Sequence, residues 1–210
     1  MNQQEALAIF LKHGALRSGH FILYSGKHAR QYVDKDRVYA HPLDVFRLCQ
    51  EIAERVFDQN IEVVVAPEKG GIILSQIIAY YLSQLTGREV LAFYAEKDHK
   101  GYVLKRGGVA EAIAGKRVLV ADDILTSGES VSKVVQVVRH LRGFVVSVYA
   151  LFNRRKVTKE SVGNPERFGS LIEMEIEDWE ICPPELAEVP VDTSVGKGAE
   201  FLAAQGAETL

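Results

Sequence analysis

Val118-Leu119-Val120-Ala121-Asp122-Asp123-Ile124-Leu125-Thr126-Ser127-Gly128-Glu129-Ser130 is the stretch whose reading decides the fold. Its first four residues are apolar and rich in β-branching, the composition of a strand buried in a parallel sheet. The run stops at two adjacent carboxylates, which nothing apolar explains. Thr126-Ser127-Gly128 follows as a polar turn, and residues 130–138 carry their valines at helical spacing. The order is strand, acidic edge, glycine turn, helix start.

That order has a direct chemical meaning. Unpaired N–H groups at a helix start, backed by the positive end of the helix dipole, hold phosphate. Gly lets the backbone approach, and Thr and Ser hydroxyls add donors. Carboxylates are poor partners for phosphate but good acceptors for sugar hydroxyls, and they hold a divalent metal through its waters. A ligand with a ribose diol at one end and a phosphate at the other satisfies both halves.

Residues 118–128 resemble the phosphoribosyl pyrophosphate (PRPP) motif of type I phosphoribosyltransferases: an apolar strand, two acids, two further residues, then Thr-(Thr/Ser/Ala)-Gly. The resemblance implies that Asp122 and Asp123 bind the ribose hydroxyls and that Leu125, Thr126, Ser127, Gly128, Glu129 and Ser130 cradle the 5′-phosphate. Two other readings compete. Val-Leu-Val-Ala-Asp-Asp also opens phospho-accepting receiver domains, but there the acids lie near the start of the domain, not past the middle. The acids could also be solvated turn residues.

The chain has 210 residues, 47% of them apolar and 25% charged, with a net charge of −3. This is the composition of one globular α/β domain with appendages. Without a basic block, neither nucleic acid nor an anionic membrane is expected as a partner. The first residues lack a basic start followed by an apolar core, and no apolar run is long enough to span a bilayer, so a cytoplasmic location is expected. The two cysteines, Cys49 and Cys182, have no metal-ligand spacing around them and are expected to be reduced.

Residues 3–13 read as a small amphipathic helix closed by Gly14. Residues 15–35 alternate β-prone pieces with glycine turns. Gly19-His-Phe, Leu-Tyr-Ser-Gly-Lys-His and Gln31-Tyr-Val-Asp resemble the N-terminal hood of orotate phosphoribosyltransferases. The resemblance implies that Tyr32 and Val33 pack on the base. Tyr24 stands where many members carry lysine.

A helix starts at Pro42, and residues 61–66 read as a second buried strand running into Lys69-Gly70-Gly71 and a helix over residues 72–85. Lys69 and Gly70 form a second anion-site candidate on the same backbone argument, and the resemblance makes it the pyrophosphate loop. A third strand, residues 89–95, leads into a charged, glycine-bounded loop with no face to bury, as mobile lids have. Lys97, His99, Lys100, Lys105 and Arg106 lie within ten residues there; a solvated hairpin is the plainer alternative. In orotate enzymes the lid of one subunit serves the site of its partner in a homodimer. The family's Arg-Lys-x-x-Lys-x-His-Gly fits imperfectly: Lys97 and Lys100 match the two lysines, Glu96 replaces the arginine, and His99 precedes Lys100.

Residues 144–152 form a further strand ending at Asn153-Arg154, where open α/β sheets bind ligands. Members usually show Asp-Arg there, with the arginine on the orotate carboxylate. A guanidinium suits a carboxylate bidentately; Arg154 matches and Asn153 departs. The tail resembles bacterial extensions bearing Cys-Pro-x-Cys. Here Glu185 replaces the second cysteine, so no metal is expected there, and fraying is expected from Gly198 onward.

The expected fold is an open, mainly parallel twisted α/β sheet with helices on both faces. Its parts would be a hood over residues 1–40, a PRPP-binding core over 41–175 and a C-terminal extension over 176–210. The implied reaction is attack of orotate N1 on C1 of PRPP. Thr126 and Arg154 would face the base, Lys97, Lys100, Asp122 and Asp123 would carry catalysis, and Mg²⁺ would be held through PRPP and water. The alternatives are transfer to another base such as a purine, or a non-catalytic PRPP-sensing regulator.

Overall fold

Strand stretches in which every side chain is apolar must be covered on both sides, and the runs 63–66 and 118–121 make the centre of this protein. In a computed structural model, all residues are described except Lys100, Arg106, Arg155 and 208–210, with 205–207 as backbone alone. The helices are α1 (Gln3–Lys12), α2 (Lys35–Tyr39), α3 (Pro42–Val56), α4 (Gly70–Thr86), α5 (Val109–Ile113), α6 (Glu129–His140), α7 (Pro184–Ala187) and α8 (Gly198–Ala207). The strands are β1 (Leu16–Ile22), β2 (His28–Val33), β3 (Val63–Pro67), β4 (Leu91–Asp98), β5 (Gly101–Val103), β6 (Arg117–Leu125), β7 (Phe144–Asn153), β8 (Arg167–Glu173) and β9 (Asp178–Trp179).

The chain forms two compact units. The first comprises residues 1–6 and 42–174. Its sheet has the order β5-β4-β3-β6-β7-β8, parallel except for β5. Strand side chains alternate between faces. Val63, Val65, Val118 and Val120 join one fully buried cluster with Val109 and Ile113 of α5 and Val131, Val134, Val135 and Val138 of α6. Val64 and Leu119, one position out of phase and equally buried, point to the other face, against which α3 and α4 pack. Each such side chain contributes about 1.5–3 kcal/mol by leaving water.

Close approach of α4 to β3 depends on Gly71: a Cβ there would lie 2.5 Å from Cβ of Ala66. Behind the sheet, Arg55 of α3 donates to Glu51 (2.8 Å), to the phenol oxygen of Tyr149 on β7 (2.9 Å) and to the carbonyl of Met1 (2.9 Å), while the N-terminal ammonium pairs with Glu51. Burial works against the Glu51 charge, but the hydrogen bonds from the ammonium and Arg55 outweigh it and hold the carboxyl below its usual range.

The second unit comprises residues 7–41 and 175–210. Its antiparallel sheet has the order β1-β2-β9, with a bulge between Ser18 and Phe21. Arg17 pairs with Asp192 at 2.5 Å, and Lys27 with Glu180 at 2.9 Å.

Three expectations need correction. The strand expected to stop before the acids continues through them to Leu125, because Asp122, Ile124 and Leu125 all pair with β7. The strand expected to end at Ala95 runs to Asp98 and folds back as β5, since Tyr102 has an apolar ring to bury against the core. Fraying from Gly198 is overturned over 198–207 by α8, where Phe201 sets its ring edge-on to His28 at 5.4 Å; for 208–210 that expectation lies outside the described residues. The edge strand β8 was missed because residues 155–175 carry no glycine-turn-helix signal.

Candidate active site

Four strand ends of the first unit lie side by side along one sheet edge. Parallel pairing places Pro67 beside Ala95, and Leu125 beside Asn153. Ligands bind at that edge in open α/β sheets. Lys69 and Gly70 follow β3, Lys97 lies near the end of β4, Asp122 to Ser130 span the β6–α6 junction, and Arg154 follows β7.

Side-chain contacts bind these loops together. A carboxylate oxygen of Glu68 accepts the Lys97 N–H at 2.8 Å, which joins the β3 and β4 ends. The Tyr102 hydroxyl lies 3.2 Å from that of Ser130, joining the β4–β5 hairpin to the start of α6. A main-chain bond adds to these, from the backbone N–H of Arg154 to the Leu125 carbonyl at 3.1 Å. Glu68 and Tyr102 were missed by sequence reasoning; the one available signal was an aromatic inside an otherwise charged loop.

Asp122 and Asp123 are buried at 9% and 8% exposure. One oxygen of Asp122 accepts the Asp123 N–H at 2.9 Å, and one of Asp123 accepts the Ile124 N–H at 2.6 Å. Each carboxylate is therefore fixed by its own backbone. Thr126 and Ser127 are exposed hydroxyls, whereas the Leu125 side chain lies in the core, so only its backbone can serve a ligand.

Gly128 is the residue before α6, with φ +76°, a left-handed conformation that favours glycine. A Cβ there would also come within 2.8 Å of Val157. Glu129 pairs with Lys133 at 2.5 Å, whose ammonium holds its carboxyl below the usual range. The Glu129 N–H, the first of α6, donates to the Ser127 hydroxyl at 3.4 Å, so the helix start and the hydroxyls share one turn.

Lys69 and Lys97 are exposed and Gly70 is buried. Of the other lid cations, His99 is exposed and Lys105 sits 3.9 Å from Asp98, while Lys100 and Arg106 lie outside the described residues. Arg154 is buried, at 5% exposure. Asn153 donates its amide N–H to the Val157 carbonyl at 3.0 Å, a bond no carboxylate could donate. Tyr32 and Val33 belong to the second unit, at the end of β2; Tyr32 packs its ring 5.6 Å from Phe21, and burial raises its phenol above the usual range.

The profile of the family described as "Phosphoribosyl transferase domain" matches residues 34–187. The chain belongs to that family. It is 36% identical to an orotate phosphoribosyltransferase of Desulforamulus reducens, over 87% of this chain and 91% of the relative. It is 33% identical to one of Caldicellulosiruptor bescii, over 87% and 92%. Among solved structures, the Mycobacterium tuberculosis H37Rv orotate phosphoribosyltransferase in complex with inorganic phosphate shares the fold, with a TM-score of 0.61 and 20% identity over 82% of this chain and 95% of that one. An adenine phosphoribosyltransferase from Thermoanaerobacter pseudethanolicus shares it too, with a TM-score of 0.55 and 18% identity over 82% and 100%. Likeness at that identity speaks for the fold alone. The acid pair and the α6 turn lie within the matched residues. Among the described residues, no helix is long and apolar enough to cross a membrane.

Proposed function

We propose that this phosphoribosyltransferase transfers the 5-phosphoribosyl group of PRPP to orotate, giving orotidine 5′-phosphate and pyrophosphate for pyrimidine nucleotide synthesis in the cytoplasm. The observation that carries this reading is the fixed pair Asp122-Asp123, one glycine-opened turn ahead of α6. The choice of orotate follows from relatives at 36% and 33% identity that are aligned over nine-tenths of their length.

In this reading Asp122 and Asp123 accept the ribose hydroxyls, and the 126–130 turn holds the 5′-phosphate through backbone N–H groups and the hydroxyls of Thr126, Ser127 and Ser130. Lys69 and Gly70, with Lys97 and Lys100, take the pyrophosphate. Arg154 takes the base carboxylate and Thr126 faces the ring; Tyr32 and Val33 keep the base role that the resemblance gives them. The transition state carries positive charge on the ribose, so positioning and charge neutralisation at the leaving group do more than a strong base. Two backbone-fixed carboxylates are hard oxygen donors suited to Mg²⁺ and its waters, and together with PRPP oxygens they would hold it. Bound there, Mg²⁺ adds neutralisation of the departing pyrophosphate. A homodimer that shares its lid completes the proposal.

Pyrophosphate release measured with PRPP and a panel of bases tests it. Release is expected with orotate and not with adenine, guanine, hypoxanthine or uracil. Release with a purine alone would move the assignment to another base, and none with any base would leave a PRPP-binding regulator.

A further inference from the structure

The second unit holds a side-chain cluster that phosphoribosyl transfer does not use. His20 on β1 and His28 on β2 are buried, and Cys182, from the segment after β9, is half-buried. One ligand atom from each lies within 4.8 Å of the others. Nδ1 of His20 is 2.9 Å from the Val189 carbonyl, so it carries the ring proton and donates it there. Its Nε2 then turns a lone pair toward Nδ1 of His28 at 2.8 Å and Sγ of Cys182 at 3.8 Å. A carbonyl that fixes the tautomer of a ligating histidine is the usual outer support of a metal site.

Zn²⁺ takes imidazole nitrogen at about 2.0–2.1 Å and thiolate sulfur at about 2.3 Å, so tetrahedral angles set N···N near ~3.3 Å and N···S near ~3.6 Å. The separations found, 2.8 and 3.8 Å, differ from those by about half an ångström or less, within reach of small side-chain rotations. We propose that His20, His28 and Cys182 form a binding site for a Zn²⁺-class transition-metal ion, which clamps the C-terminal segment to the β1–β2 hairpin. Among the described residues no fourth side chain joins the three, so water or a small ligand completes the tetrahedron. Spacing around Cys182 hides this site, because its partners are 162 and 154 positions earlier in the chain. Glu185, three residues after Cys182, instead faces Arg30 at 3.4 Å. The competing arrangement is a metal-free His28-to-His20 hydrogen bond.

The test uses the full chain, stripped with a chelator and then titrated with Zn²⁺ (by elemental analysis) and Co²⁺ (by absorbance). One ion per chain is expected, with a thiolate-to-cobalt charge-transfer band in the near ultraviolet. Cys182→Ser should lose that band and bind Zn²⁺ at least about tenfold more weakly, since a ligand matters no less than its outer support, while phosphoribosyl transfer stays unchanged. Should that variant misfold, alkylation of the wild-type chain decides: Zn²⁺ should slow modification of Cys182 at least about tenfold, with buried Cys49 as the internal reference. Uptake well below one ion per chain, a Cys182→Ser variant that binds like wild type, or a Cys182 equally reactive with and without Zn²⁺ would each overturn the site.

Discussion

Asp122 and Asp123 are held by the N–H groups of the residues that follow them, so the pair is aimed before any ligand arrives. Removing their charge while keeping their shape should leave fold and circular dichroism intact. Each lost charge-assisted hydrogen bond is worth about 1.5–3 kcal/mol, so each Asp→Asn change should lower kcat/KM by about ten- to a hundredfold. Gly128 gives a second prediction. Alanine there meets both the positive φ and the 2.8 Å approach to Val157, so Gly128→Ala should shift the turn and raise KM for PRPP at least about fivefold, read from initial rates. Asn153 shows why a departure from a family pattern need not disable a site: its amide holds the Val157 carbonyl, a role open to Asn and closed to an ionised Asp.

At the scale of elements, the parallel strands and their glycine turns were legible because β-branched runs ending in Gly-rich turns have few other uses. The β6 end was misjudged because two carboxylates look like a terminus, while a strand at a sheet's carboxyl edge can carry them and keep its ladder to β7. Fraying at α8 was misjudged because Phe201 finds a ring that only tertiary structure supplies. Packing of α4 on β3 predicts that Gly71→Ala, which sets a Cβ 2.5 Å from that of Ala66, destabilises by about 1–3 kcal/mol and lowers Tm. The α3 network makes a pH prediction. The carboxyl of Glu51 is depressed in the folded state, so its stabilisation is present above the unfolded value of about 4.3 and fades as pH falls through the lower folded value. Glu51→Gln should therefore be less stable than wild type by about 1 kcal/mol at pH 7, with the gap closing in acid, measured by denaturant unfolding at both pH values.

For the molecule as a whole, the family profile and the sheet order agree on a type I phosphoribosyltransferase core. Lid sharing makes a prediction that no single chain can answer. If Lys97 serves a partner's pocket, mixing Lys97→Ala chains with Asp122→Asn/Asp123→Asn chains should restore about a quarter of wild-type activity, because half the dimers regain one of two sites. Activity no higher than the sum of the parents would place the lid in its own subunit.

In the proposed reaction the adjacent acids and the α6 turn form one seat for an activated sugar phosphate. Calorimetric titration of PRPP with Mg²⁺ into the wild-type chain and into Asp122→Asn/Asp123→Asn measures that seat. Saturable binding that weakens at least about a hundredfold in the double variant is the predicted result; equal affinity in the two proteins would contradict it.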